Sequence, residues 1–249
     1  MDIDLSGQVV AVTGASSGIG EATALGAARA GATVSLAARR ADRLEALAER
    51  IRAEGGRALA IPTDVSDEQQ ARAFVQRTKE ELGRLDVLVN NAGLMLLGPI
   101  GDADTDEWRR MIDANVYGVL YCTLPALSVL REQGGGGHIL IVSSVAGRRA
   151  SAGSGVYNLT KFGVGAFAEA LRQETAEENI RVTLIEPGAV ATELRDHNRP
   201  EIQAEMDERF KDITMLSAGD IANAIIYTLG QPAHVSINEV LIRPSKQER

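Results

Sequence analysis

The sequence predicts a doubly wound α/β domain, in which about seven parallel strands form one sheet with helices on both faces. Short, nearly continuous apolar runs recur along the chain, and such runs are typical of strands buried on both faces of a parallel sheet. They alternate with longer stretches of helical periodicity. No linker or change of composition interrupts the alternation, so we expect a single domain over residues 1–249.

The apolar runs and the helical periodicity place the individual elements in order. Strands are predicted at residues 8–12, 33–38, 57–61, 86–89, 138–143, 180–185 and 237–242. Helices are predicted at residues 21–30, 42–54, 67–82, 105–131, 154–177, 201–210 and 218–229. A polar, poorly periodic stretch over 189–216 follows the sixth strand, and we expect it to border the substrate.

Composition restricts the class of protein. The 45% hydrophobic and 24% charged residues are ordinary for a globular chain, and a net charge of −8 argues against a nucleic-acid or anionic-membrane surface. A single cysteine, Cys122, excludes an internal disulfide and fits a reducing compartment. No apolar run approaches the roughly 20 residues of a membrane span. The three histidines show no metal-ligand spacing. We therefore expect a cytoplasmic protein without a metal site.

A glycine-rich turn, T-G-A-S-S-G-I-G over residues 13–20, joins the first strand to the first helix. Gly14 permits a tight turn, Gly18 a close approach of the backbone to a bound group, and Gly20 close packing of the helix on the strand. The N–H groups of the first helical turn then suit a pyrophosphate. This predicts a dinucleotide-binding, Rossmann-type fold. The cofactor-binding residues predicted here are Gly14, Ser16, Ser17, Gly18, Ile19 and Gly20.

The end of the second strand predicts which dinucleotide binds. An acidic residue usually binds the adenosine ribose hydroxyls at this place, whereas this chain reads A-A-R-R over residues 37–40. A carboxylate would repel a 2′-phosphate, while small residues leave room for it and arginines can pair with it. We therefore predict NADP(H) rather than NAD(H), bound by Arg39 and Arg40. The alternative, that an arginine only solvates the start of a helix, stays open, more so for Arg40.

The run Y-N-L-T-K places the phenol of Tyr157 and the ammonium of Lys161 at i and i+4, on one face of a helix. A nearby cation favours phenolate, which makes a tyrosine usable in acid–base chemistry near pH 7. Ser143 and Ser144 end the fifth strand and supply hydroxyl groups to the same edge of the sheet. Acyl transfer by a serine is disfavoured, because no G-x-S-x-G elbow and no suitably placed histidine accompany it.

Together these motifs resemble the short-chain dehydrogenase/reductase family, and the match covers nearly the whole chain. The family's T-G-x-x-x-G-x-G lies at 13–20 and its N-N-A-G at 90–93. Its helix asparagine, serine, Y-x-x-x-K pair and post-strand motif correspond to Asn115, Ser144, Tyr157 with Lys161, and Pro187, Gly188 and Thr192. Segments 95–99, 185–188, 192–195 and 242–244 most resemble the clavulanic-acid (clavaldehyde) dehydrogenases within this family.

The resemblance implies reversible, NADPH-dependent reduction of an aldehyde or ketone to an alcohol. Tyr157 would be the general acid, and Ser144 would stabilise charge on the substrate oxygen. Lys161 would lower the pKa of the tyrosine and hold the nicotinamide ribose, and Asn115 would join a proton relay to solvent. Further cofactor contacts are implied at Asp64, Val65, Asn91, Ala92, Gly93, Pro187, Gly188, Val190 and Thr192.

Some alternatives remain. An NAD-linked alcohol or hydroxysteroid dehydrogenase is disfavoured because Ala38 offers no carboxylate, and a non-catalytic dinucleotide-binding regulator because all four catalytic positions are filled. Arg148 and Arg149 could face either an anionic substrate or a partner subunit. The family commonly forms tetramers through two long helices, here 105–131 and 154–177, and through the C-terminal strand. We therefore expect a small-molecule substrate and a homotetramer, or otherwise a dimer.

Overall fold

The computed structural model describes residues 3–248, and a seven-stranded parallel sheet forms its centre. The strands are β1 (Val9–Thr13), β2 (Thr33–Ala38), β3 (Arg57–Pro62), β4 (Val87–Asn90), β5 (Gly137–Val142), β6 (Ile180–Pro187) and β7 (Glu239–Ile242). Their order is β3-β2-β1-β4-β5-β6-β7. The chain reverses direction across the sheet between β1 and β4, where doubly wound folds open their ligand crevice. The predicted fold class is confirmed.

Helices cover both faces of the sheet. They are α1 (Gly18–Arg29), α2 (Ala41–Ala53), α3 (Glu68–Leu82), α4 (Thr105–Ile112), α5 (Gly118–Gln133), α6 (Gly155–Thr175), α7 (Pro200–Phe210) and α8 (Ala218–Leu229). Buried residues of α1, α2 and α8 form one core, while those of α3, α5 and α6 pack against the opposite face. Within residues 3–248, no helix has the length and apolarity that crossing a bilayer requires.

The continuous apolar run of β1 follows from its central place in the sheet. All five of its residues are buried. Val10 and Val12 pack into the core with α1, α2 and α8, whereas Ala11 packs into the core of the other face. Successive side chains of a strand point to opposite faces, so a strand covered on both sides is apolar throughout.

The single helix predicted over 105–131 is wrong as a continuous element. A π-helical turn, Asp113–Tyr117, separates α4 from α5. Such a turn adds a residue to the helix and is common at functional sites. Asn115 lies in this turn and is buried. The interruption leaves no mark in the apolar periodicity because helical backbone and apolar residues continue through it.

The stretch over 189–216 leaves the sheet and returns to the same point. The N–H of Ala191 donates to the carbonyl of Leu216 at 2.8 Å, and the N–H of Leu216 donates to the carbonyl of Ala189 at 3.0 Å. A short 3₁₀ turn, Glu193–His197, and α7 lie between these ends. The last strand is shorter than predicted, since β7 begins at Glu239.

Candidate active site

A cleft of about 540 Å³ opens at the carboxyl ends of the strands. Among the residues predicted to bind cofactor or act in catalysis, all line this cleft except Gly20 and Asn115. A Cβ on Gly20 would lie 2.3 Å from the carbonyl oxygen of Gly14, so Gly20 permits the close packing of α1 on the turn. Asn115 is buried behind the lining.

The glycine-rich turn leaves space for a phosphate group. Gly14 and Gly18 have φ angles of 65° and 57°, which side chains rarely adopt. A Cβ on Gly14 would also lie 2.8 Å from the Cα of Ala92. Ser17 precedes α1, and its side chain does not cap the helix. The N–H groups at this end are therefore open to an anion, and the turn fits the pyrophosphate of a dinucleotide.

The floor of the cleft is held by hydrogen bonds between β1 and the loop after β4. The side-chain Nδ2 of Asn91 donates to the carbonyl of Thr13 at 2.9 Å. The hydroxyl oxygen of Thr13 accepts the backbone N–H groups of Asn91 and Ala92, each at 3.0 Å. These contacts fix the N-N-A-G segment against the glycine-rich turn.

The two arginines after β2 differ in their partners. Arg40 donates to the hydroxyl oxygens of Ser16 at 3.0 Å and Ser17 at 2.7 Å, and forms an ion pair with Glu193 at 2.8 Å. Arg39 lines the cleft, is exposed, and has no side-chain partner among residues 3–248. Its guanidinium is therefore available to a phosphate, whereas Arg40 would have to share or exchange its partners.

Ser144, Tyr157 and Lys161 meet deeper in the cleft. The i, i+4 spacing on α6 places the Nζ of Lys161 5.8 Å from the centre of the Tyr157 ring, and both side chains are buried. Ser144 begins a short 3₁₀ turn after β5, where its Oγ accepts the N–H of Ala146 at 3.1 Å. Its hydroxyl also has a long, 3.5 Å contact with the carbonyl of Pro187.

Burial controls the titration of the tyrosine and the lysine. It raises the pKa of Tyr157 to about 12, while hydrogen bonding with Ser144 acts in the opposite direction. It lowers the pKa of Lys161 to about 8, so this ammonium is still mostly protonated at pH 7. The net effect on the pKa of Tyr157 is therefore a rise, not the net lowering that the resemblance implied for Lys161. Burial dominates, and the Nζ directs a hydrogen bond to the carbonyl of Val142 at 3.0 Å.

Asn115 is buried next to the helix that carries Tyr157 and Lys161. Its Nδ2 donates to the carbonyl of Leu94 at 2.8 Å and to the hydroxyl of Thr160 at 3.2 Å. A Cβ on Gly93 would be 3.3 Å from the Oδ1 of Asn115 and 3.8 Å from the Nζ of Lys161. Gly93 therefore allows the amide and the ammonium to approach the same point.

The structure gives Arg148 and Arg149 different surroundings, whereas the sequence did not distinguish the two arginines. Arg148 donates to the buried carboxylate of Glu186 at 2.6 to 2.8 Å and also pairs with Glu239. These partners make the exposed Arg148 a link between the Ser144 segment, β6 and β7. Arg149 instead lines the cleft and pairs with no described carboxylate.

Two buried asparagines that sequence reasoning missed hold the loops around the cleft. The Nδ2 of Asn158 donates to the carbonyls of Ala146 at 2.7 Å and Arg149 at 3.0 Å. The Oδ1 of Asn198 accepts the N–H of Leu97 at 2.7 Å. Asn158 stands inside the Y-x-x-x-K run, which could have drawn attention to it. Nothing in the sequence around Asn198 marks it.

Sequence comparisons find relatives along nearly the whole chain. A profile of the short chain dehydrogenase family matches residues 8–203. An oxidoreductase of Staphylococcus saprophyticus is 43% identical over 244 residues, which cover 96% of this chain and 97% of the relative. The glycine betaine reductase of Emericella nidulans is 43% identical over 243 residues. The match covers 96% of this chain but only 19% of that much longer protein.

A solved structure provides a further comparison. The closed form of a serine dehydrogenase complexed with NADP+ is 32% identical, with a TM-score of 0.90 and coverage of 97% of both chains. The family profile, the relatives and the fold agree with each other. This chain belongs to the short-chain dehydrogenase/reductase family and is an oxidoreductase of that family.

Proposed function

We propose that this oxidoreductase uses NADPH to reduce an aldehyde or ketone to an alcohol, reversibly. The observation that carries the proposal is the meeting of Ser144, Tyr157 and Lys161 in one cleft with an open, glycine-rich anion site. The NADP+ bound by the structurally similar serine dehydrogenase supports the choice of cofactor.

The dinucleotide, when bound, supplies the hydride. Tyr157 has a pKa of about 12 and is protonated at neutral pH, so it is able to donate a proton to the carbonyl oxygen as negative charge develops there. Ser144 would donate a hydrogen bond to the same oxygen, exchanging its long contact with the carbonyl of Pro187.

Lys161 and Asn115 support the proton transfer. After Tyr157 gives up its proton, the nearby ammonium of Lys161 stabilises the phenolate. Asn115 would connect Lys161 to solvent through a bound water, beside the gap that Gly93 leaves open.

Residues along the cleft would hold the cofactor from end to end. Lys161 would bind the nicotinamide ribose, and the turn at 13–20 the pyrophosphate. The nicotinamide end would contact Pro187, Gly188, Val190 and Thr192; the adenosine end Asn91, Ala92, Gly93, Asp64 and Val65. The preference for NADPH over NADH is assigned to Arg39, since Ala38 has no carboxylate and Arg39 has no competing side-chain partner within residues 3–248.

The substrate would lie under the stretch over 189–216. Met206 and Phe210 of α7, which belong to this stretch, line the cleft. Met95 and Leu97 of the loop after β4 line it as well. Clavaldehyde-like aldehydes belong in a substrate screen because short segments of the chain resemble the dehydrogenases that act on them.

We also propose that the protein is a two-fold symmetric homo-oligomer, a tetramer or otherwise a dimer. Large apolar side chains are exposed on the outer faces of α5, the turn before it, and α6. They are Tyr117, Leu124, Leu159 and Phe162. Exposed large apolar side chains on two helices that cover the same face of the sheet fit a subunit interface.

A substrate screen with the purified protein, followed by NADPH absorbance, tests the proposed reaction. With the best substrate, Tyr157→Phe is expected to lose roughly 100-fold or more of the activity, because the proton donor is removed, and to retain NADPH binding. Tyr227→Phe, an exposed tyrosine on α8 outside the cleft lining, is the matched control. Activity of Tyr157→Phe within about twofold of the parent would contradict the mechanism.

A further inference from the structure

Arginines without a carboxylate partner are concentrated in the cleft. Most arginines of residues 3–248 form ion pairs, and of these only Arg40 and Arg195 line the cleft. The arginines that pair with no described carboxylate are Arg39, Arg57, Arg110, Arg149, Arg181, Arg209 and Arg243. All of these except Arg57 and Arg181 line the cleft.

The carboxylates that line the cleft do not balance the positive charge of these arginines at the end of the cleft where the substrate would bind. Glu193 is paired with both Arg40 and Arg43. Asp64 follows β3 at the adenosine end, where it accepts hydrogen bonds from Ser66. The remaining acid of the lining, Asp113, lies one helical turn from Arg110. Because the whole chain has a net charge of −8, a positive cleft does not follow from its composition.

Arg149 is held next to the catalytic residues. Asn158, the neighbour of Tyr157 on α6, donates to the carbonyl of Arg149 at 3.0 Å and accepts the N–H of Ser151 at 3.1 Å. The backbone on both sides of the arginine is thereby fixed at the first turn of α6. Arg149 itself lines the cleft, is exposed, and has no side-chain partner within the described chain.

Arg209 comes from the other segment that covers the substrate. It lies on α7 between Met206 and Phe210, which also line the cleft. Its guanidinium carbon is 5.5 Å from the centre of the Phe210 ring, a contact that orients the group and leaves its N–H donors free. Arg195, in contrast, is already paired with Asp207.

We infer that the carbonyl substrate carries an anionic oxygen group, a carboxylate or a phosphate ester, which Arg149 and Arg209 bind. This inference rests on the proposed function. A guanidinium matches the paired oxygens of either group, and the apolar neighbours Met206 and Phe210 suit the carbon skeleton between the anion and the carbonyl. In the direction of reduction, the substrate class is oxo acids or phosphorylated aldehydes and ketones.

The experiment compares matched substrates with and without the charge, using the purified protein and NADPH. One pair is 4-oxobutanoate and its methyl ester; the other is glyceraldehyde 3-phosphate and glyceraldehyde. The parent is expected to have the higher kcat/KM for the charged member of at least one pair, and the pair concerned identifies carboxylate or phosphate. Calorimetric titration of 4-hydroxybutanoate into the protein with NADPH measures carboxylate binding without turnover, because an alcohol and the reduced cofactor cannot exchange a hydride.

Variants then assign the effect to the two arginines. Arg149→Gln and Arg209→Gln are each expected to lower the charged-to-neutral ratio of kcat/KM by roughly tenfold, mainly through KM, since both groups are exposed before the substrate binds. Arg72→Gln is the control, because Arg72 is another exposed arginine, which lies on α3, pairs with Glu68 and is outside the cleft lining. It is expected to leave the ratio and the activity unchanged.

The possible failures are distinguishable. If the parent reduces the neutral member of both pairs as well as the charged one, or if neither arginine variant changes the ratio, the inference is overturned while carbonyl reduction stands. If the parent reduces no aldehyde or ketone of any charge, the proposed function itself fails, and the inference fails with it.

Discussion

Asn115 and Leu94 exchange two hydrogen bonds. The side-chain Nδ2 of Asn115 donates to the carbonyl of Leu94 at 2.8 Å, and its Oδ1 accepts the backbone N–H of Leu94 at 2.7 Å. One residue of the π-helical turn thus fixes the loop after β4, and its further bond to Thr160 ties that loop to α6. The side-chain amide of Asn115 therefore positions both the loop after β4, which lines the cleft, and α6, which carries Tyr157 and Lys161.

Ser144 and Ser143 should respond differently to replacement by alanine. Ser144→Ala removes a donor to the substrate oxygen and is expected to raise the barrier by roughly 2 to 4 kcal/mol. Ser143 is buried and donates to the carbonyl of Lys161 at 3.1 Å, so Ser143→Ala should mainly lower the free energy of unfolding, by about 1 kcal/mol. Steady-state rates and urea unfolding measure the two effects. Equal losses of kcat/KM would show that the wrong hydroxyl has been assigned.

Arg39→Ala should weaken NADPH binding by roughly 10- to 100-fold and leave NADH binding nearly unchanged, because a hydrogen bond between charged groups is lost. Arg43→Ala is the control, since Arg43 pairs with Glu193 but lies outside the cleft lining. Ala38→Asp should reverse the preference by adding repulsion against the phosphate. Fluorescence titration with both cofactors measures these affinities. An equal loss of affinity for NADPH and NADH in Arg39→Ala would show that Arg39 does not bind the 2′-phosphate.

His138 should make the folded state sensitive to acid. Thr183 donates its hydroxyl to the carbonyl of Ile237 at 2.6 Å and so accepts the Nε2–H of His138 at 2.7 Å. Burial, and secondarily the charge of Arg181, lowers the pKa of His138 to about 3. The unfolded chain, with a pKa of about 6.5, binds this proton more readily, so stability is lost as pH falls from about 6.5 towards 3, by at most about 1.4 kcal/mol per pH unit.

Urea unfolding between about pH 7 and pH 5 tests this prediction, over a range where few carboxylates titrate. His138→Asn is expected to reduce the pH dependence of the unfolding free energy, whereas the exposed His234→Asn is expected to retain that of the parent. Identical slopes in His138→Asn and the parent would contradict the role of burial.

The proposed oligomer predicts a light-scattering mass at micromolar concentration well above the 26.5 kDa of one chain. Leu124→Glu and Phe162→Glu place a carboxylate on the exposed apolar faces of α5 and α6 and should shift the mass towards that of one chain. Ile100→Glu, at an exposed apolar position on a short turn outside these helices, is the control. A parent protein with the mass of one chain would refute the proposal.

The features predictable from sequence are those whose cause is local. The glycine-rich turn at 13–20 requires particular φ angles and close approaches, and these restrict the residues at fixed spacings. The pairing of Tyr157 with Lys161 follows from the period of one helix. The apolar runs identified the strands because a central parallel strand is covered on both faces.

The features missed depend on tertiary contacts between distant segments. Arg148 and Glu186 are 38 residues apart, and Arg40 and Glu193 are 153 residues apart. An arginine in a polar loop has the same local sequence whether it is paired or free, so Arg148 and Arg149 could not be separated without the packing of β6 and β7. The π-helical turn was missed for a related reason, since its contacts are made with the loop after β4.

The two ends of the stretch over 189–216 are joined by the hydrogen bonds among Ala189, Ala191 and Leu216, so the stretch leaves the sheet and returns to it at one place. A segment that begins and ends at one point is suitable for exchange between relatives as a graft, since its replacement does not alter strand register or the distance between its ends. A replacement segment would have to retain Asn198, because the hydrogen bond from Leu97 to its side chain joins this segment to the loop after β4. Evolution could in this way have varied what the chain reduces while the cofactor end and the proton donor stayed in place.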